Sequence, residues 1–184
     1  FQDAEKTAKL LNVALGVSGG TSAQLDRLIK QSKDLEKISI FSDDDIQKAQ
    51  TAALQFGLTA DQVEKLLPLV ADFASATGQD LASALGAVTQ GVEVSGRGLK
   101  KFGITIEEGA SRVEKLDSIS QQLSKTYSGQ AEIVGNTAAG AQAKYNNQLN
   151  DTQEIIGERL FPALQKLKIA LINGAEDIVD FLIP

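Results

Sequence analysis

The sequence predicts an all-α fold: a compact bundle of short helices followed by a longer, kinked C-terminal helix. One observation behind this prediction is that helix-capping residues and glycines alternate at helix-length intervals, most densely from 42 to 103. A second is that the apolar residues between these signals recur every three or four positions, which is the period of a helix face. A length of 184 residues with 42% apolar content favours one globular domain.

Capping signals place the helix ends. Ser42 is suited to cap a helix whose first turn holds Asp43, Asp44 and Asp45, because carboxylates stabilise the positive end of the helix dipole. Gly57 should end that helix in a left-handed conformation, and a capping box beginning at Thr59 should start the next. By the same reasoning we expect helix starts at Thr21, Asp80, Ser111 and near Ser95. We expect helix ends at the turn 18–20 and at Gly78, Gly91, Gly103 and Gly129.

The helix after Thr59 should form the centre of the core. It carries the densest apolar stripe in the chain, consisting of Val63, Leu66, Leu67, Val70, Phe73 and Ala74. Pro68 lies inside this pattern and cannot donate to the carbonyl four residues back. We therefore expect a kink or a break after Leu66.

The segment after Gly103 allows two structures. Thr105 to Glu108 and Ser111 to Glu114 both fit the capping box, and both are used only if Gly109 ends a single turn between them. The main alternative is a short extended piece from Ile104 to Ile106.

We interpret residues 1–184 as one helical domain, and the opening Phe1 leads us to expect a fragment of a longer chain. Within it, 1–41 should form N-terminal helices, 42–129 the capped helical core and 130–184 the long C-terminal helix. Residues from Gln130 to Gln142 are mostly small, which permits close backbone approach. Beyond them a helical apolar period runs almost uninterrupted, and Pro162 predicts a kink.

Composition excludes several classes of function. The net charge of −6 argues against nucleic-acid binding by a basic surface, so we expect no sequence-specific nucleic acid as a partner. Cysteine and histidine are absent, which removes thiol nucleophiles, disulfides, Ser-His-Asp triads and most zinc sites. We find no signal peptide and no run of the roughly 18 apolar residues that a membrane span needs.

No residue is predicted to be catalytic, cofactor-binding or metal-binding. The segment 91–98 imitates a P-loop but has Arg97 and Gly98 where lysine and a hydroxyl are needed. Consecutive aspartates at 43–45 point about 100° apart on a helix and cannot all reach one ion. The adjacent pair Glu107 and Glu108 cannot face each other across a cleft, and the Asn150 sequon falls within a predicted helix.

The apolar C-terminal segment from Phe161 to Pro184 admits two interpretations. Leu164, Leu167 and Leu171 give it an apolar face that suits either membrane contact or packing in a core or against another helix. Its acidic residues, which anionic lipid would repel, favour packing: Glu176, Asp177 and Asp180.

Three ordered stretches resemble the conserved helical region of bacteriophage and prophage tail tape measure proteins. They are 56–78 (FGLTADQVEKLLPLVADFASATG), 80–104 with VTQG at 88–91 and LKKFGI at 99–104, and 135–164 with GNTAAG at 135–140 and IIGERLFPAL at 155–164. Each stretch consists of helix stops and small residues, so the resemblance rests on the ordered set. It extends from about Ser42 to Leu171.

The resemblance implies a virion structural protein that lies in the tail lumen, sets tail length during assembly and leaves ahead of the DNA at ejection. It implies the tail tube protein, tail assembly chaperones and tail-tip or baseplate proteins as partners, with self-association as a further option. The host bacterial cytoplasm would be its location during assembly. No catalytic residue or cofactor is carried over, so we expect a protein that is not an enzyme.

Two other functions stay open at this point. The chain suits a helical protein-interaction module unrelated to phage, or a membrane-perturbing segment used during DNA delivery. Neighbouring genes that encode tail proteins would favour the tape measure interpretation over the interaction module. Leakage of liposomes on addition of the protein would favour the membrane-perturbing segment.

Overall fold

The computed structural model describes residues 2–94 and 96–182, with side chains described for 4–94 and 96–172. Within these ranges the chain forms nine α-helices and no strand, which confirms the predicted all-α bundle with a longer C-terminal helix. The helices are α1 (Gln2–Val17), α2 (Ser22–Ile38), α3 (Asp43–Gln55), α4 (Ala60–Thr77), α5 (Leu81–Glu93), α6 (Arg97–Lys100), α7 (Arg112–Tyr127), α8 (Gln130–Gly135) and α9 (Ala138–Leu182).

The predicted N-terminal caps are confirmed. Ser42 Oγ accepts a hydrogen bond from the Asp45 backbone N–H at 3.1 Å, and all three aspartates lie in the first turn of α3. Side-chain caps also start α2, α4, α5 and α7, at Thr21, Thr59, Asp80 and Ser111. A cap of this kind contributes about 1 kcal/mol, so local chemistry fixes where these helices begin.

Left-handed glycines end helices where predicted. Gly57 has a φ of 80° and donates its N–H to the Leu54 carbonyl at 2.8 Å, while the Leu58 N–H reaches the Ala53 carbonyl at 3.2 Å. These two bonds form a Schellman motif. The predicted start of α6 near Ser95 lies outside the described residues. Positive φ values also occur at three further predicted stops, Gly78, Gly103 and Gly129.

The prediction that Gly91 ends α5 is wrong, because this helix continues to Glu93. A Cβ at position 91 would lie 2.7 Å from Leu99 Cδ1 of α6. The glycine therefore permits close packing between α5 and α6, and the helix does not stop there.

The capping box from Thr105 to Glu108 is not used, since 104–107 are not helical. Gln122 of α7 holds this segment instead: its amide nitrogen donates to the Thr105 carbonyl at 2.7 Å, and its amide oxygen accepts the Thr105 N–H at 2.9 Å. The segment is therefore not a turn of helix, and a contact with α7 fixes its position.

Of the kink or break predicted after Leu66, the break is wrong, because α4 runs continuously from Ala60 to Thr77. Proline leaves the carbonyl of Glu64, four residues earlier, without its helical donor. The side-chain amide of Gln31 in α2 donates to that carbonyl. A tertiary hydrogen bond thus replaces the missing helical one.

The core is centred on α4, as predicted from its apolar stripe. This helix packs against α2, α3, α5, α7 and α8. Phe73 is fully buried, and its ring meets those of Phe102 and Tyr127 at centroid distances of 4.9 and 5.3 Å. The predicted α4 residues are all 0–1% exposed: Val63, Leu66, Leu67, Val70, Phe73 and Ala74.

The region after Gly129 differs from the single long helix that we predict from the sequence. A short helix, α8, precedes α9, and Asp72 of α4 accepts the backbone N–H groups of Gly129 at 3.0 Å and Ala131 at 2.9 Å. The two helices separate where Thr137 Oγ1 accepts the Gly140 N–H at 3.0 Å. The capping threonine and the tertiary contact to Asp72 together divide the region.

Small residues around α8 allow the close backbone approach that the composition predicts. A Cβ at Gly135 would lie 2.1 Å from the Ile38 carbonyl oxygen. The end of α8 therefore rests directly on the end of α2.

The final helix, α9, spans 45 residues and continues through Pro162. At about 1.5 Å per residue it is about 68 Å long. The carbonyl that Pro162 deprives of a donor belongs to Glu158, which is exposed, so water can satisfy it. All side chains from 158 to 172 are exposed, and beyond Pro162, which borders a cavity against α1, α2 and α3, the helix extends past the packed body.

Candidate functional site

Three carboxylates from three helices meet beneath the first half of α9. Glu36 near the end of α2, Asp43 at the start of α3 and Asp151 in α9 each place one oxygen within 4.8 Å of the other two. We call these three residues the acidic cluster. Glu36 is only 9% exposed, whereas Asp43 and Asp151 are partly exposed. A cavity of about 850 Å³ between α1, α2, α3 and α9 borders the cluster.

Helix periodicity explains why Glu36 is buried. The buried face of α2 consists of Leu28, Ser32, Leu35 and Glu36, so this carboxylate continues the stripe that packs against the body. Sequence reasoning did not identify Glu36 or Asp151 as site residues. The sequence signal that could have identified Glu36 is its position on the apolar, core-facing side of an amphipathic helix, where an acidic residue is unusual.

The surroundings of the cluster disfavour negative charge. Burial, followed by the nearby charges of Asp151 and Asp43, raises the pKa of Glu36 to about 7. Burial, with a further contribution from Asp151, also raises the pKa of Asp43, and Lys33 partly opposes this. Among the described side chains, no lysine or arginine forms an ion pair with the cluster. A proton or a cation is therefore needed to offset the repulsion.

The aspartates at 43–45 are separated as the sequence predicts. Asp45 turns away from the cluster and pairs with Lys48 at 3.5 Å. Asp43, however, meets carboxylates that come from two other helices. Adjacent positions on one helix keep the three aspartates apart, but they do not prevent one of them from meeting carboxylates of other helices.

The other candidates from the sequence are not brought together into a site. Gly91 lies within α5 and Gly96 precedes α6, and the structure describes no strand before this segment. Glu107 and Glu108 lie side by side in an exposed loop, and Asn150 lies within α9. That these positions have no chemical role stays a prediction.

The distal half of α9 presents a second feature, an exposed apolar surface. We call it the apolar α9 face, and it consists of Ile156, Leu160, Leu164, Leu167 and Leu171, each 51–65% exposed. From the sequence we predict that the segment from Phe161 packs in a core or against another helix. The described side chains of this segment are exposed, so they do not pack in the core of the described body. Packing against another helix stays a prediction.

The geometry defines an all-α protein with a capped helical body, an acidic cluster at the base of a long helix and an apolar face along that helix. None of the helices in the described part of the chain is both long and apolar enough to cross a membrane. No protein-family model, curated protein or solved structure gives a significant match to this chain.

Proposed function

We propose that this chain is a structural segment of a bacteriophage tail tape measure protein, which sets tail length during assembly and is ejected at infection. The observation that carries the proposal is the apolar α9 face, since a projecting helix with a continuous apolar stripe is built to contact other proteins. In this proposal the chain acts by occupying length and by binding neighbours, and no catalytic step is involved.

The positions of the resembling stretches support the proposal. The stretch 56–78 contains α4, the centre of the core, and 135–164 runs from the end of α8 into the exposed half of α9. The resemblance therefore covers both the body and the projecting helix. The proposed partners for the apolar α9 face are the tail tube protein, the assembly chaperones, the tail-tip or baseplate proteins, and further copies of the chain.

In-frame deletions in the long helical parts of the parent gene should shorten the tail in proportion to the residues removed. The expected change is about 1.5 Å per helical residue, because each residue adds that rise along a helix axis. Tail length is measured by electron microscopy of purified particles. Insertions of equal size serve as the matched control and should lengthen the tail by the same amount. Tails of unchanged length would count against the proposal.

A helical interaction module unrelated to phage is the second candidate, and the apolar α9 face supports it as well. Genomic context distinguishes this candidate from the tape measure proposal. Tail-tube and tail-tip genes beside the parent reading frame would favour the tape measure proposal, whereas a setting without phage genes would favour the second candidate.

A further inference from the structure

Two buried oxygens at the acidic cluster lack a hydrogen-bond partner. Glu36 Oε1 and Gln47 Oε1 are both buried, and neither accepts a hydrogen bond from the described residues. Gln47 is only 5% exposed, borders the same cavity and places its amide nitrogen 3.4 Å from Asp43 Oδ2. Because buried polar atoms in folded proteins are almost always paired, these two oxygens indicate a ligand that the protein atoms alone do not supply.

We propose that Glu36, Asp43 and Asp151 bind one divalent cation of the oxygen-preferring class, with Ca²⁺ as the best fit, and that the ion fastens α9 to α2 and α3. Carboxylates and amide carbonyls are the ligands that such cations take. This inference is independent of the tape measure proposal, since it concerns how the helices are held together.

The flexibility that the site needs favours Ca²⁺. Calcium accepts about 6–8 oxygens at about 2.3–2.6 Å in adaptable geometry, whereas magnesium demands near-ideal octahedral geometry at about 2.0–2.1 Å. The cluster oxygens come from three separate helices and lie within 4.8 Å of one another. Small side-chain movements would bring all three within reach of one calcium ion.

The remaining ligand positions are available nearby. Calcium takes about 6–8 oxygens, so three carboxylates leave positions for others. The adjoining cavity, of about 850 Å³, has room for several water ligands.

Nearby positive side chains do not neutralise the cluster. Lys37 pairs with Asp34 at 2.8 Å, and Lys144 donates to Asn136 Oδ1 at 3.2 Å. Lys33 borders the cavity without pairing to the cluster among the described contacts, and Glu5 and Asp44 add further negative charge around it. The cluster thus keeps an excess of negative charge that a divalent ion would offset.

An ion at this position would tie α9 to the body. A described hydrogen bond between α9 and the body, from Asn147 Nδ2 to the Ile40 carbonyl, is long at 3.4 Å. Bonds from one cation to Glu36 on α2, Asp43 on α3 and Asp151 on α9 would hold the three helices at one point. The direction of the projecting helix would then depend on the ion.

The test is a Ca²⁺ titration of the whole chain at pH 8, after bound metal has been removed with a chelator. Isothermal titration calorimetry measures binding, and thermal unfolding measures the effect of the ion on stability. We expect one ion per chain, an affinity of about 10⁻⁵–10⁻³ M and a higher unfolding temperature with Ca²⁺. Asp151→Asn should weaken binding by about tenfold or more and abolish the thermal shift. Asp43→Asn should act in the same way, which gives a second variant if the first folds poorly.

Asp117→Asn is the matched control, because Asp117 is an exposed aspartate of α7, away from the cluster. It should bind Ca²⁺ as the unchanged chain does. Failure of Ca²⁺ and Mg²⁺ to bind saturably below about 10 mM would overturn the proposal. Equal binding by the unchanged chain and by both cluster variants would overturn it too. Binding of Mg²⁺ in preference to Ca²⁺ would support the site and overturn the choice of ion.

Discussion

Phe73→Ala is expected to lower the free energy of unfolding by about 3–5 kcal/mol. Phe73 is fully buried on α4, and its ring contacts the edges of Phe102 and Tyr127. Truncation removes its apolar surface and leaves a cavity where α4 meets α7 and the segment after α6. Urea unfolding followed by circular dichroism measures the change.

Phe56→Ala is the matched control for this substitution. Phe56 caps the end of α3 and is 47% exposed, so its truncation should change the free energy of unfolding by less than about 1 kcal/mol. Similar losses for the two variants would contradict a core centred on α4.

Glu36→Gln is expected to change how stability depends on pH. The pKa of Glu36 is raised to about 7 in the folded chain, above its ordinary value of 4.5. The folded state therefore binds this proton more tightly than the unfolded state between these values, and stability falls as pH rises through that interval. In solution with chelator, we expect the variant to match the unchanged chain near pH 4.5. At pH 8 it should be more stable, by at most on the order of 3 kcal/mol.

The measurement is urea unfolding of both proteins from pH 4.5 to 8. Glu107→Gln serves as the control because Glu107 is exposed in the loop after α6, and its curve should parallel that of the unchanged chain. A variant at position 36 that is destabilised equally at every pH would show that the carboxylate contributes packing and not a buried charge.

Local signals made much of the fold predictable from the sequence. The caps at Ser42 and Thr59 use hydrogen bonds within three residues, and the stop at Gly57 depends on its own φ. Such features need no knowledge of the tertiary structure. They account for the correct boundaries of α3 and α4 and for the all-α class.

Features that depend on distant residues were not predictable in this way. Pro68 does not break α4 because Gln31 of another helix takes the free carbonyl of Glu64. Gly91 is a packing position because Leu99 approaches it after the chain turns back. In each case a tertiary contact outweighs the local preference.

The acidic cluster and the exposure of the apolar α9 face were not predictable, for the same reason. Periodicity identified α9 as a helix with an apolar stripe, but it does not indicate whether the surface that covers the stripe belongs to the same chain. The convergence of Glu36, Asp43 and Asp151 depends on how three helices cross. A pattern within one helix carries no information about that crossing.

The chain forms a helical body with its core at α4, from which the distal part of α9 extends with an exposed apolar face. Hydrogen–deuterium exchange of the monomeric full chain tests this most directly. We predict the slowest exchange in α4 and much faster exchange at 158–172, where every side chain is exposed and tertiary packing gives the helix hydrogen bonds little protection. Exchange at 158–172 as slow as in α4 would contradict the account.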